Sequence, residues 1–444
     1  MKKKGRVIIT GLITAGICIL LLFLTGMIPK TAIEESIRES ADYFYQEELF
    51  PYLAENQFNT RQDNYADSIL VNIIYHIDQD ELPLSLIRAS YYNPKTENVN
   101  VSLWEAVQEE KEANVEYFRY WHGSMVLLRP LFLFTSITGA RLLLGICLLG
   151  LTILTAIAVF RQGEKVLALC YLLGNLVVQT WMCAFCIEYI TTFLVMNAAA
   201  LCTLFLYNRW GQDQEKLNEK FNMLLAASGV VTCFVDFLTT ETLTITVPLL
   251  ILTILRFGDN RLEELKTEVK KMVENGLVWG LSYASMFGLK WIISAVALGP
   301  QAFTTALSSA GERISGEIIS AGDGWEAQVS GLDRLFGALA RNQGSLFPFR
   351  GEMKLGMAIL LFWGVIFTGF ALIYLFRDKL FSGKMICLCL IQALVPYLRY
   401  VLLANHAYLH YFFTYRAQLV TVMALFYCTW QFGLSRLLKG KNSP

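Results

Sequence analysis

Asn405 to Arg416 reads Asn-His-Ala-Tyr-Leu-His-Tyr-Phe-Phe-Thr-Tyr-Arg, a histidine pair ringed by aromatics and closed by an arginine. A spacing of four puts His406 and His410 on one face of a helix. Three roles suit that arrangement. The pair hydrogen-bonds a phosphate or sugar while Arg416 neutralises charge, or it holds a metal, or it belongs to an aromatic belt at a membrane surface. No H-E-x-x-H is present and no third ligand is fixed nearby, so no cofactor is expected; a divalent metal is the alternative. Asp63 and Asp67 are also four apart, and like charges that close raise at least one pKa, which suits a general base. The competing reading of that pair is a helix cap on a solvated domain. Glu188 and Asp236 each stand between two apolar segments with hardly a polar neighbour, where burial is expensive. Lys290 and Arg399 lie in or near the outer ends of apolar segments. They either snorkel to the surface or face inward to grip a phosphate. Arg129, before Pro130, and His122, in Tyr-Trp-His-Gly, pose the same choice between interfacial anchor and ligand.

The elements that must position these groups are membrane helices. Of 444 residues 55% are hydrophobic and 17% charged, with mean hydropathy +0.45, against about 25% charged in soluble domains. Apolar runs of about 18 or more residues recur, as a polytopic membrane protein requires. The fold expected is all-α, a bundle of about ten spans with a large, mainly helical extracytoplasmic loop after the first. Residues 1–28 read as an uncleaved signal-anchor span, 29–139 as the outer domain with an interfacial helix, and 140–298 as spans two to seven. Residues 299–354 read as a second outer loop, and 355–444 as the last three spans and a tail. Within these, helices are expected over Leu103–Tyr120 and Met125–Phe134, an interfacial helix over 258–275, and separate spans over Gly276–Leu298 and Leu355–Phe376.

Charge sets the orientation. Arg161, Lys165, Arg209, Lys216, Arg377, Lys379 and Lys384 fall in loops assigned to the cytoplasm, so both termini are cytoplasmic. All four histidines, Glu188 and Asp236 then come out on the other side. Residues 29–124 carry more than twice as many acidic as basic residues, which argues against nucleic acid as a partner. All ten cysteines lie in apolar segments, so no disulfide framework is implied. Walker loops, G-x-G-x-x-G after a strand and G-x-S-x-G elbows are absent from the sequence.

Asp63-Asn-Tyr-Ala-Asp67, Tyr120-Trp-His-Gly123 with Arg129-Pro130, Asp236-Phe-Leu-Thr-Thr240, Lys290-Trp291 and Asn405–Arg416 together resemble membrane glycosyltransferases of the C type (GT-C). The pattern is similar to GT-C-like membrane proteins of Gram-positive bacteria and covers nearly the whole chain. In that family an N-terminal span precedes an outer loop with a catalytic aspartate, and Glu35 stands nearer that usual place than Asp63. The resemblance implies an enzyme of the cell membrane that moves a sugar from a polyprenyl-phosphate donor to a cell-envelope acceptor. It implies Asp67 or Asp63 as base, with His406, His410, Arg416 and Arg399 on the departing phosphate. Membrane lipid is the other expected partner. Two alternatives stay open: a transporter or flippase for a lipid-linked envelope precursor, and a non-catalytic assembly protein. Convergence of Asp67, Asp236 and His410 in a single outer cavity would favour the enzyme.

Overall fold

A computed structural model describes residues 3–54, 57–95, 98–315, 318–320, 326–329, 331–346, 364 and 382–430. The described chain is helical apart from one antiparallel hairpin, Ile318–Ser320 with Glu326–Gln328. Helix α1 spans Lys3–Gly26, and Pro29 stands at the entry to α2, Lys30–Gln46. Ile33, Ile37, Ala41 and Phe44 of α2 recur at helical spacing and are buried, so this helix turns one stripe inward. It packs on α5, Val99–Gln108, which also meets α3, Asn64–Tyr75; α4 is Leu82–Arg88. Asp63 caps α3, accepting from the Ala66 N–H at 2.9 Å, and Asn98 caps α5 through Asn100 and Val101. Helix α5 ends earlier than its sequence suggests. A run of glutamates follows it, and Glu110 turns the backbone left-handed at φ 53°.

Next come α6, Met125–Leu131, and the bundle: α7 (Ile137–Arg161), α8 (Lys165–Val177), α9 (Ile187–Trp210), α10 (Gln214–Val235), α11 (Leu243–Gly258) and α12 (Leu265–Leu298). Five described helices are long and apolar enough to cross a membrane: Lys3–Gly26, Ile137–Arg161, Ile187–Trp210, Leu265–Leu298 and Gly383–Leu402. Helices α8 and α11 are shorter apolar helices. The expected span Leu355–Phe376 lies almost wholly outside the described residues. The separate interfacial helix and span expected across 258–298 are instead one 34-residue helix, α12. No proline interrupts that stretch, and the separate glycines Gly276, Gly280 and Gly288 do not break it. Helix α6, expected at the interface, buries Leu128 and Arg129 fully, while Phe134 just beyond it is 84% exposed.

Leucines such as Leu12, Leu142 and Leu281 are about two-thirds exposed (67%, 64%, 65%), as lipid-facing positions are. Small and polar residues join the helices. A Cβ on Gly229 would come within 2.5 Å of the Trp279 carbonyl, so α10 and α12 cross at backbone contact. Asn197 on α9 accepts from Thr155 on α7 at 2.9 Å and Tyr171 on α8 at 2.5 Å. At the opposite end from the outer domain, Arg256 of α11 grips buried Glu268 of α12 with bonds of 2.7 and 2.9 Å.

Beyond α12 lie α13, Gln301–Ser315, and α14, Gly331–Gly344, followed by helices at Ser382–Ala393, Val395–Leu402, Ala404–Leu409, Tyr411–Thr414 and Leu419–Cys428. Helix α14 packs on Ala404–Leu409, and Asn342 donates to the Ala407 carbonyl at 2.8 Å. These contacts fold the histidine segment against the outer helices.

Candidate active site

A cavity of about 290 Å³ opens where the outer domain meets the ends of α9 and α10, with α13, α14 and residues 406–413 closing it. Two carboxylates line it. Asp63 is held on both sides, by its capping bond to Ala66 and by a short bond from the Tyr189 hydroxyl. Burial pushes its carboxyl above the ordinary range, against those two hydrogen bonds. Glu188 sits in the first turn of α9, where the helix dipole favours negative charge. It is 8% exposed, and its carboxylate has no hydrogen bond or ion pair among the described residues.

Three arginines line the same cavity, and none forms an ion pair among the described residues. Arg61 lies between the rings of Phe50 and Phe412, 3.9 and 4.3 Å from their centroids. Arg341 of α14 stacks 3.9 Å from the Tyr408 centroid and donates to its hydroxyl at 3.0 Å. Arg313 of α13 faces Tyr120 at 5.8 Å. Stacking on aromatic faces fixes guanidinium groups without consuming their charge. Cations able to hold an oxyanion thus share one cavity with carboxylates able to move a proton.

His406 and His410 lie on the cavity wall with ring centroids 4.6 Å apart. Burial, and the positive charge of Arg313 and Arg399 nearby, drives His410 down to about 3. His406 shifts the same way, through burial and then His410 and Arg399. Both rings are therefore neutral at pH 7 and act as hydrogen-bonding groups; the arginines carry the positive charge. His122 also falls to about 3 through burial, and its ring shares a 2.9 Å hydrogen bond with the Tyr117 carbonyl. It sits at a left-handed turn, φ 54°, behind the cavity wall. The next residue, Gly123, approaches so near that a Cβ there would meet the Phe234 carbonyl at 2.4 Å.

These neutral histidines couple stability to pH. The unfolded chain takes up protons near pH 6.5 that native His122 and His410 refuse until about 3. Stability is thus full above pH 6.5 and falls as pH drops through that window. Relative to His122→Gln, the melting temperature of detergent-purified wild-type protein is expected to fall as pH drops from 7.5 to 4.5.

Other sequence candidates have structural duties. Asp67 does not line the cavity: it is fully buried against Arg141 at 2.7 Å and accepts the Ile187 N–H at 2.9 Å. Asp236 accepts from Thr192 at 2.7 Å and from the Thr239 amide and hydroxyl, and closes the turn between α10 and α11. Arg129 donates to the carbonyls of Ile74 and Ile28 at 2.8 and 2.7 Å, which locks the outer domain onto α6. Lys290 reaches the Ile87 carbonyl at 2.9 Å and so ties α12 to α4 rather than snorkelling. Arg416 donates to the Phe412 and Asn59 carbonyls at 3.2 and 3.4 Å. Arg399 pairs with Glu241 at 2.9 Å and approaches His406 at 3.5 Å from outside the cavity. Sequence reasoning missed Arg61, Arg313, Arg341 and Tyr189 as site residues; the short helix expected around Phe303–Ile319 carries Arg313, and Arg341 directly follows the one expected around Val329–Ala340. Among the described residues no group of three or more His, Cys, Asp or Glu gathers closely enough to hold a metal ion. No protein-family model, curated protein or solved structure matches the chain.

Proposed function

We propose that this protein is a membrane glycosyltransferase of GT-C type, acting on the outer face of the cell membrane with a polyprenyl-phosphate sugar as donor and a cell-envelope hydroxyl as acceptor. The observation that carries the reading is one cavity lined by Arg61, Arg313 and Arg341, none in an ion pair among the described residues, together with Asp63 and Glu188. In the proposed step the acceptor oxygen attacks the anomeric carbon and its proton passes to Glu188. The bond from that carbon to the phosphate oxygen breaks, and the electron pair leaves on the phosphate. Preorganised cations stabilise the charge that develops there. Asp63, fixed by Tyr189, holds the acceptor, and the neutral histidines hydrogen-bond sugar or phosphate.

An apolar groove of about 530 Å³ between α12, α13 and Val395–Leu402 adjoins the cavity, sharing Tyr120 and Arg313 with it. It suits the prenyl chain. The cavity lies at the end of α9 opposite Arg209, and the positive-inside rule supports reading that end as the outer one; both termini in the cytoplasm and about ten spans belong to the same proposal.

The test is incubation of purified protein with a panel of polyprenyl-phosphate sugars, reading release of the lipid phosphate. No release from any donor, with or without acceptor, would overturn the reading. Arg313→Ala is expected to weaken transfer by roughly 10- to 150-fold in kcat/KM, the worth of a hydrogen bond to a charged group. Arg313→Lys should recover only part of that, since lysine lacks the two-pronged grip.

A further inference from the structure

Helix α13 has three faces where a helix wedged between protein and water needs two. At 3.6 residues per turn, Ala302, Ala306, Ser309 and Arg313 fall within an arc of about 60°. This face turns inward: both alanines are sealed, Ser309 accepts from Arg119 at 3.1 Å, and Arg313 lines the cavity. Gln301, Thr304, Thr305, Ser308 and Glu312 occupy the far side, and all are exposed. Between the two, Phe303, Leu307 and Ile314 lie within about 40° of one another, and they are exposed as well. One exposed apolar side chain needs no account, but a stripe of three does.

The neighbours of the stripe say what covers it. Helix α12, long and apolar enough to cross a membrane, ends at Leu298, and only Gly299 and Pro300 separate it from α13. On α12, Ile292 is 56% and Val296 84% exposed, so its lipid-facing side runs to within two residues of its end. Phe303 meets the Trp291 ring edge-on, with centroids 6.2 Å apart. At 1.5 Å per residue that contact lies about 10 Å short of the end of α12. The first turn of α13 therefore stands beside the span and not above it. Trp291 and Ile314 also line the apolar groove, together with Leu398 and Leu402, each 58% exposed. Stripe, groove rim and lipid-facing helix side thus form one apolar surface.

We infer that α13 lies in the membrane surface on the cavity side, with Phe303, Leu307 and Ile314 among lipid acyl chains and Thr304, Ser308 and Glu312 in water. Helices of this pattern sink their apolar face about 5–10 Å into the boundary between headgroups and chains. A bilayer surface is apolar on one side and wet on the other, which suits a stripe that passes directly into a polar face. Arg313 rides on the same helix, so lipid contact helps to hold that cation at the cavity mouth. The seating is independent of the chemistry inside the cavity.

Full-length protein carrying Cys147→Ala, Cys202→Ala and Cys387→Ala is given single cysteines, labelled with a nitroxide and placed in phosphatidylcholine–phosphatidylglycerol nanodiscs. Collision of the label with oxygen, which concentrates in lipid, is compared with collision with a water-soluble nickel chelate. Oxygen is expected to dominate at Phe303→Cys, Leu307→Cys and Ile314→Cys, and the chelate at Thr304→Cys, Ser308→Cys and Glu312→Cys. Leu307 is 55% exposed, so its variant reports even where Phe303→Cys loosens the Trp291 contact. Chelate-dominated collision at all six positions would put the helix in water and overturn the inference. Shielding of 303, 307 and 314 from both reagents would show a protein, not lipid, on the stripe, and would overturn it too.

Discussion

Protein carrying Glu188→Gln is expected to lose transfer by on the order of 100- to 10,000-fold, the range a positioned general base contributes, while folding and binding donor as wild type does. Glutamine keeps the size of the side chain, and no protein hydrogen bond disappears, because the Glu188 carboxylate makes none among the described residues. Removing a carboxylate from a cavity lined by three arginines does not weaken an anionic ligand. The loss should therefore fall on kcat, with KM level or lower, as for a group that acts in the transition state. Asp63→Asn makes the contrast. That residue caps α3 and accepts from Tyr189; asparagine caps a helix as well as aspartate does, so stability should hold, while the changed bond to Tyr189 alters KM too. Single-turnover assays on both variants, with the donor found in the panel, separate the roles. Wild-type kcat in Glu188→Gln would pass the base to Asp63.

How far the sequence reached this site depends on the kind of information each residue carries. His406, His410 and Glu188 stand out because each is polar where its neighbours are apolar, and the fold brings all three to one cavity with Asp63. Membrane physics makes such residues conspicuous without any knowledge of the fold. Asp63 and Asp67 could not be told apart in that way. Their spacing is symmetric, and what separates them is Arg141, a residue 74 positions from Asp67 that takes one carboxylate out of play. Convergence of Asp67, Asp236 and His410 would have favoured the enzyme, but of the three only His410 lines the cavity; Asp236 is spent on its own turn, as the nearby threonines allow. Arg313 and Arg341 were hidden for the opposite reason. In a loop rich in glycine and serine a cation looks solvated, and only packing against residues 406–413 takes these two inward. Helix positions followed the apolar runs well; breaks followed local chemistry that hydropathy does not report, such as the left-handed turn at Glu110.

The largest stability effect is expected at Asp67 and Arg141. Arg141 donates Nε to one Asp67 oxygen at 2.8 Å, holds Nη2 in ion-pair contact with the same oxygen at 2.7 Å, and donates Nη1 to Asn64 at 3.0 Å, with both side chains nearly sealed from solvent. The other oxygen takes the Ile187 N–H, so a single carboxylate fastens the outer domain to the first residue of α9. Removing one partner strands a buried charge. Asp67→Asn and Arg141→Met should each destabilise the fold by about 3–5 kcal/mol. The double change Asp67→Leu with Arg141→Met should cost much less than the sum, because no charge is left alone. Denaturant unfolding in detergent measures all three. Activity should fall in the single variants only as far as the fold loosens, since the peptide that positions Glu188 is the one Asp67 holds. An Asp67→Asn protein that melts like wild type and transfers no sugar would reverse this assignment and return Asp67 to proton transfer.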